Sequence, residues 1–402
     1  MSSFSSFSLF FTGRLSFMQT VLIIGLLLIL TALYQASQSS VSLVTFVIAL
    51  AMGAVLNGLH FGFSRSFREL ILERKTLAVR AIIWMLALVL VLFGWLQNTA
   101  DSLQGEALYG FIRPVGVYSL LGAFLFGVGM QLGIGCTSGT LNRAGQLQVL
   151  SIPTLFMMIV GGTVAVWSQE LWQAWPAVAP WAFQHSVHWL VAIAFQLLLL
   201  LVIYRSLLMF ERSSNGQVQT LLQLKKRGDS AYWHPWLLAG LSLAALNALL
   251  FWVSGSPWSI SSIFPYWGVH LIELLKLPVD WQFWDYVMEN PNHLASEAIN
   301  HTVSLTTWGV LFGALFVTLW QTSGQSNAKQ NRSVKSVSHW RAWLVSSVAG
   351  FIMGLGAVMA SGCNIGAFFS GIASGSLHGW VWLPAALIGN WAGLYLKRFL
   401  SL

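Results

Sequence analysis

Apolar runs of near-bilayer length alternate with short polar connectors along almost the whole chain. They cover about 19–37, 41–61, 80–97, 116–135, 148–168, 187–208, 235–254, 303–321, 343–361 and 377–396. A helix needs about 20 apolar residues to cross the roughly 30 Å hydrocarbon core of a bilayer. The pattern therefore predicts an all-α polytopic membrane protein of about ten spans. The connector 255–302 is long and carries apolar stretches such as LIELLKL, which predicts a short interfacial or re-entrant helix there. The stretch up to Phe17 is apolar and Ser-rich and lacks a small-residue cleavage site, so it is expected to stay on the protein.

Composition narrows the picture. Apolar residues make up 56% and charged residues only 8%, which excludes a soluble enzyme, a disordered chain and a disulfide scaffold. The few charges are sorted by side. Eighteen of the 20 Lys and Arg fall on one face, in the segments after the second, sixth and eighth spans, at the C-terminus, and at Arg14 and Arg143. Only Arg113 and Lys276 fall on the other, together with eight of the twelve acids. The positive-inside rule then predicts that both termini are cytoplasmic. The +8 net charge, including KKRG at 225–228, reads as topology rather than nucleic-acid binding. Trp residues such as Trp380 and Trp382 are expected to anchor at the interface, as are His60 and His378 near span ends.

The chain also repeats itself. GAFLFGVGMQLGIGCTSG at 122–139 and AGFIMGLGAVMASGCNIG at 349–366 match at an offset of 227, and the match pairs Cys136 with Cys363, the two cysteines of the protein. Two halves, 1–186 and 187–402, with five spans each are expected. Five is odd, so the second half enters the membrane inverted, an arrangement that puts a substrate site near the midplane. Gly135 and Gly139, like Gly362 and Gly366, predict broken helices whose free N–H groups attract an anion without a buried Lys or Arg. Cys136 and Cys363 would offer soft thiols to a substrate's sulfur. Asn364 beside the second cysteine and Arg143 after the first loop complete the candidate binding set, with Arg113 a candidate guide on the outer side. Two thiols lacking nearby His or acid partners do not make a zinc site, and no cofactor is expected. The residues leave three readings open: a permease for a small sulfur-containing anion, a membrane thiol relay forming a persulfide or disulfide, and a scaffold subunit. The relay needs a lowered thiol pKa that only Arg143 could promote. A scaffold has no need of paired thiols.

Three blocks, HFGFSRSFREL at 60–70, GIGCTSGTLNRAG at 133–145 and SGCNIGAFFSG at 361–371, resemble the YeeE/YedE family of bacterial inner-membrane proteins, the sulphur-transport family. The resemblance spans nearly the whole chain. It implies an hourglass of two inverted halves, whose short re-entrant loops meet at a central constriction. It also implies thiosulfate import, with Cys136 and Cys363 passing the anion by S–H···S contacts, and a small cytoplasmic sulfur-carrier protein of the TusA type as partner. Thiosulfate-importing members resemble one another in a third cysteine, within a pattern close to R-F-C-L-T-G-G-F-R-D. Here Gly62 stands at that place and Arg65-Ser66 replace the Gly-Gly, while Phe67-Arg68-Glu69 keep the ending. That departure leaves room for another sulfur or selenium species as the substrate.

Overall fold

Backbone in lipid must satisfy its own hydrogen bonds, so apolar runs of this length become helices. The computed structural model describes residues 17–133, 135–223, 232–290, 300–323 and 339–399. The N-terminal stretch and the topology residues Arg14, Lys225, Lys226, Arg227, Glu297, Lys329, Arg332 and Lys335 lie outside the described residues.

Thirteen principal helices carry the fold. The first seven are α1 (Phe17–Ser37), α2 (Ser40–Gly58), α3 (Phe63–Glu73), α4 (Leu77–Thr99), α5 (Val117–Leu132), α6 (Thr137–Gly145) and α7 (Ser151–Trp167). They are followed by α8 (Trp189–Asn215), α9 (Pro235–Ser254), α10 (Ile263–Leu274), α11 (Thr302–Ser323), α12 (His339–Met359) and α13 (Leu377–Phe399). Between α12 and α13 runs a π-helix, Asn364–Ser370. Among the described residues, strand pairing is limited to two two-residue ladders, Val115–Gly116 with Ala177–Val178 and Leu222–Gln223 with Tyr232–Trp233, and an isolated antiparallel bridge between Ala182 and Ser376. The chain is an all-α, multi-pass membrane protein.

Among the described residues eight helical stretches are long and apolar enough to cross a bilayer: Met18–Ser37, Ser40–Glu73, Leu77–Thr99, Val117–Gly145, Trp189–Asn215, Pro235–Ser254, Thr302–Ser323 and Trp340–Ala373. The remaining two expected spans are helical but differ in character. α7 is apolar but only 17 residues long. α13 has 23 residues but carries His378, Pro384, Asn390, Lys397 and Arg398. Both lie along other helices, α7 against α12 and α13 against α5. A helix shielded by protein needs less apolar surface than one facing lipid: His378 and Asn390 are buried inside the molecule. The connector 255–302 holds the expected short helix, α10, which buries Ile263, Phe264, Tyr266 and Val269 and packs on α7.

Lipid tails are as apolar as leucine, so helices in a membrane associate through close backbone packing and hydrogen bonds rather than by escaping solvent. Glycine provides the approach here. A Cβ added at Gly354 of α12 would strike the Met158 carbonyl of α7, and one at Gly389 of α13 would strike the Phe124 carbonyl of α5. At the end of α4 and α8 a buried ion pair ties the bundle: Arg80 Nη2 donates to Glu211 Oε2 at 2.9 Å and to the Gln219 carbonyl at 2.6 Å. The Thr76 hydroxyl donates to the same carboxylate oxygen. The two charged side chains are 3% and 1% exposed, so Arg80 is neutralised within the protein rather than serving as a surface topology charge.

Two expectations for aromatic and His residues are corrected. Trp382 is not an interface anchor: it is 2% exposed, with ring centroids 5.8 Å from Phe126 and 6.3 Å from Phe368. His378 is not interfacial either: it is buried, with a ring nitrogen 2.9 Å from the Ala360 carbonyl. Both follow from the sheltered position of α13, which turns these residues toward protein.

Candidate functional site

The two Gly-Cys segments end helices in matching ways. α5 stops at Leu132, and helix resumes at Thr137 with Cys136 as N-cap. An N-cap side chain accepts from one of the first free N–H groups of its helix. Here that acceptor is sulfur: the Gly139 N–H donates to Cys136 Sγ at 3.5 Å, and the Ser138 hydroxyl lies 3.3 Å from it. Gly139 leaves the helix face beside the sulfur bare, and a Cβ at Gly135 would stand 3.1 Å from Thr140 Oγ1. In the second segment α12 ends at Met359, and Gly362 adopts φ +151°. Cys363 then caps the π-helix, but its thiol makes no capping bond. Such i→i+5 turns are rare and recur at functional sites. A Cβ at Gly366 would meet Ser259 Oγ at 3.2 Å and the Phe111 ring at 3.4 Å.

Both thiols are free and buried, 1% and 0% exposed, within one apolar cluster that includes Phe126, Met130, Leu141, Ala360 and Phe368. Around them the site is polar and unsatisfied. Thr137 Oγ1, Thr140 Oγ1 and Asn142 Oδ1 on α6 have no hydrogen-bond partner, and neither end of the Asn364 amide has one. Trp258 Nε1, Ser261 Oγ, Ser376 Oγ and Trp382 Nε1 are also buried and unpaired. Each such atom costs about 1–3 kcal/mol if left bare. A concentration of them at one place fits a site completed by a polar ligand.

Cys136, Cys363, Gly135, Gly139, Gly362, Gly366 and Asn364 thus all belong to the two helix breaks. Arg143 sits at the far end of α6. Its Nη1 donates to the Gly133 carbonyl at 2.9 Å and its Nε to Gln148 Oε1 at 2.7 Å, so it braces the first break from below. Arg113 lies on the opposite side. Its guanidinium is 4.8 Å from the centroid of the Phe111 ring, which itself abuts Gly366, and the Phe111 N–H is held by Ser374 Oγ at 2.8 Å. Protein around Arg113 pushes its pKa below the ordinary arginine value, although a guanidinium stays charged. Sequence reasoning missed Thr137, Thr140, Asn142, Trp258 and Ser261. The first three lie inside the quoted GCTSGTLN motif and were legible there. Trp258 and Ser261 come from the segment before α10, where only the polar cluster SPWSISS marked them.

Gly62 caps α3 with φ −167°, an extended conformation any residue adopts, and a Cβ there would meet nothing within 4 Å. The following Phe63 and Phe67 rings lie 6.3 Å and 6.5 Å from Phe368, five residues beyond Cys363. Gly62→Cys is therefore expected to fold like the parent. Its elution and melting profiles in detergent should be unchanged, and a shifted or aggregated profile would contradict the open space.

The sulphur-transport family model matches residues 60–392. The chain is 27% identical over 168 residues to a probable transporter, YedE, of Escherichia coli K12, covering 40% of this chain and 39% of that protein. It is 29% identical over 164 residues to YedE of Salmonella typhimurium LT2, covering 40% of this chain and 37% of that protein. The match to each YedE protein thus spans about two-fifths of its length. Thiosulfate transporter TsuA of Spirochaeta thermophila is 21% identical over 369 residues, covering 86% of this chain and 96% of that protein. With a family match running from the α2–α3 junction into α13 and both cysteine breaks inside it, the chain belongs to the sulphur-transport family.

Proposed function

We propose that the chain is a permease importing a small sulfur-containing anion, thiosulfate first among the candidates, along a central path lined by Cys136 and Cys363. The observation that carries this reading is the pair of buried free thiols set among unpartnered polar groups. A thiol is a weak donor suited to a soft, polarizable sulfur. Asn364 Nδ2, the Thr137 and Thr140 hydroxyls and the N–H groups of the breaks at Gly135, Gly139, Gly362 and Gly366 suit the oxygens. No covalent bond forms, and the anion moves from one thiol to the next. Arg113 faces the outer side and draws anions in, while Arg143 marks the inner end. The similarity to TsuA over most of both chains supports the choice of thiosulfate.

Two inverted halves, 1–186 and 187–402, are part of the same proposal. Helix contacts support them. Gly127 packs on the Ala386 carbonyl as Gly354 packs on that of Met158, and Gly389 on Phe124 as Gly161 on Phe351. At the crossing of α5 and α12, Cβ atoms at Gly122 and Gly356 would each lie within 2.7 Å of the other's carbonyl oxygen. A Cβ at Gly129 would lie 2.8 Å from the Ala349 oxygen, the position equivalent to that pair. These approaches interchange under a two-fold axis through the breaks. Ten spans, with α7 and α13 completing the eight long ones, and cytoplasmic termini fit the charge bias, and a bacterial inner-membrane location fits membership of the sulphur-transport family. A TusA-like carrier fits as the cytoplasmic acceptor of imported sulfur.

The test is labelled thiosulfate uptake in a bacterial host lacking its own sulfate and thiosulfate importers. Wild type should support uptake. Cys136→Ala and Cys363→Ala at matched expression should each lower it about tenfold or more, and Gly62→Cys should raise it. Absence of uptake by well-expressed wild type would overturn thiosulfate. Full uptake in both alanine variants would overturn the thiol path. A persulfide found on either cysteine by mass spectrometry would favour the relay instead.

A further inference from the structure

We propose that Arg68, Arg143 and Lys397 form an oxoanion-binding site at the inner mouth of the path, one that holds the anion by its oxygens after it has left the thiols. The proposal rests on the permease reading above for its place in transport, but its geometry stands separately. One hub joins three helices: Gln131 Nε2 of α5 donates to the Ser64 carbonyl of α3 at 3.1 Å and to Asn390 Oδ1 of α13. The Ser64 hydroxyl donates back to the Met130 carbonyl at 3.3 Å. From that hub each helix carries one cation toward the same end. Arg68 lies four residues on from Ser64, one turn along the same face of α3. Lys397 lies seven residues on from Asn390, two turns along the same face of α13. Arg143 is bonded to Gly133, two residues past Gln131. α13 packs directly against α3, and burial first, then the charges of Arg68 and Arg143, lower the pKa of Lys397 from the ordinary lysine value.

These three cations are half-buried, and among the described residues none of them forms an ion pair. Among the described residues neither Arg68 nor Lys397 has a hydrogen bond or ion pair. The nearby acids are engaged elsewhere: Glu69 with Arg65 at 2.6 Å and Glu73 with Lys75 at 2.5 Å. Arg143 uses Nε and Nη1 for the loop and keeps Nη2 free. Like charges gathered where solvent screens them poorly repel one another unless a counter-charge sits between them. Converging N–H donors of this kind suit the several oxygens of a divalent oxoanion. The thiols select a soft sulfur, whereas this site has no sulfur contact, so it should accept sulfate as readily as thiosulfate.

Calorimetric titration of the purified chain, in uncharged detergent without added lipid and at constant ionic strength, reads the site directly. Sodium sulfate should bind wild type and should bind equally well to Cys363→Ala. Binding should fall about tenfold or more in Arg68→Gln/Lys397→Gln and be retained in Arg68→Lys. If the double variant does not elute as a single species, Lys397→Gln, whose ammonium has no bonding partner among the described residues, carries the same comparison. Wild type that binds no sulfate, or charge-removed variants that bind it unchanged, would overturn the site. Sulfate binding that is present while added phosphatidylglycerol displaces it at equal concentration would assign the site to a lipid headgroup and overturn its role toward the free anion. Wild type that binds sulfate through these residues yet imports no thiosulfate would overturn thiosulfate as the cargo and leave the oxoanion site in place.

Discussion

Glu211→Ala will remove about 3–5 kcal/mol of stability, the usual cost of leaving one partner of a buried ion pair alone. The Arg80 guanidinium is 3% exposed and spends its contacts on Glu211, Thr76 and the Gln219 carbonyl. Without the carboxylate it keeps one neutral hydroxyl and one carbonyl, which cannot balance a full charge at the edge of lipid. The Thr76 hydroxyl loses its acceptor as well. The control is the double variant Arg80→Leu/Glu211→Leu. Removing both charges spares the desolvation that the pair must overcome, so much of the loss should return. Denaturant unfolding in detergent measures both. A single variant as stable as wild type would show that the pair carries no weight.

The second large effect is expected at Gly362→Ala. This residue has φ +151°, a conformation that a side chain disfavours, and a new Cβ would stand 2.6 Å from the Ala367 nitrogen. Strain and overpacking each cost about 1–3 kcal/mol. Gly362 immediately precedes Cys363, and the Ala367 N–H closes on the Cys363 carbonyl at 2.9 Å. The cheapest relief is a shift of the π-helix, which moves the thiol and Asn364 together. Uptake should therefore fall about as far as in Cys363→Ala, roughly tenfold or more, while the protein still reaches the membrane and purifies. Gly139→Ala is the matched comparison. Its Cβ would meet Cys136 Sγ at 3.6 Å, an ordinary contact, and should cost far less. Equal losses in the two variants would remove the special standing of the second break.

Much of this architecture was legible in the sequence, because hydropathy over 20 residues reports directly on whether a segment prefers lipid. The helices appear where the apolar runs lie, and the breaks fall at the two Gly-Cys motifs. What the sequence could not show was pairing. Arg80 looked like one more topology charge because its partner lies 131 residues away on α8. Trp382 and His378 looked interfacial because nothing local records that α13 is flanked by protein. Trp258 and Ser261 reach the site from a connector that hydropathy could mark only as irregular. A pattern states what each residue prefers as solvent, not which distant residue supplies it.

The π-helix after Cys363 has a consequence for the history of the chain. On the two-half reading, contacts before the cysteines match at 227 positions, as Phe124 matches Phe351 and Gly127 matches Gly354. After them the match is 228, as Met158 pairs with Ala386 and Gly161 with Gly389. The wider i→i+5 turn absorbs the extra residue without twisting α13 out of register. The two breaks, once identical, would have been free to drift apart, one thiol kept as a helix cap and the other released from that duty.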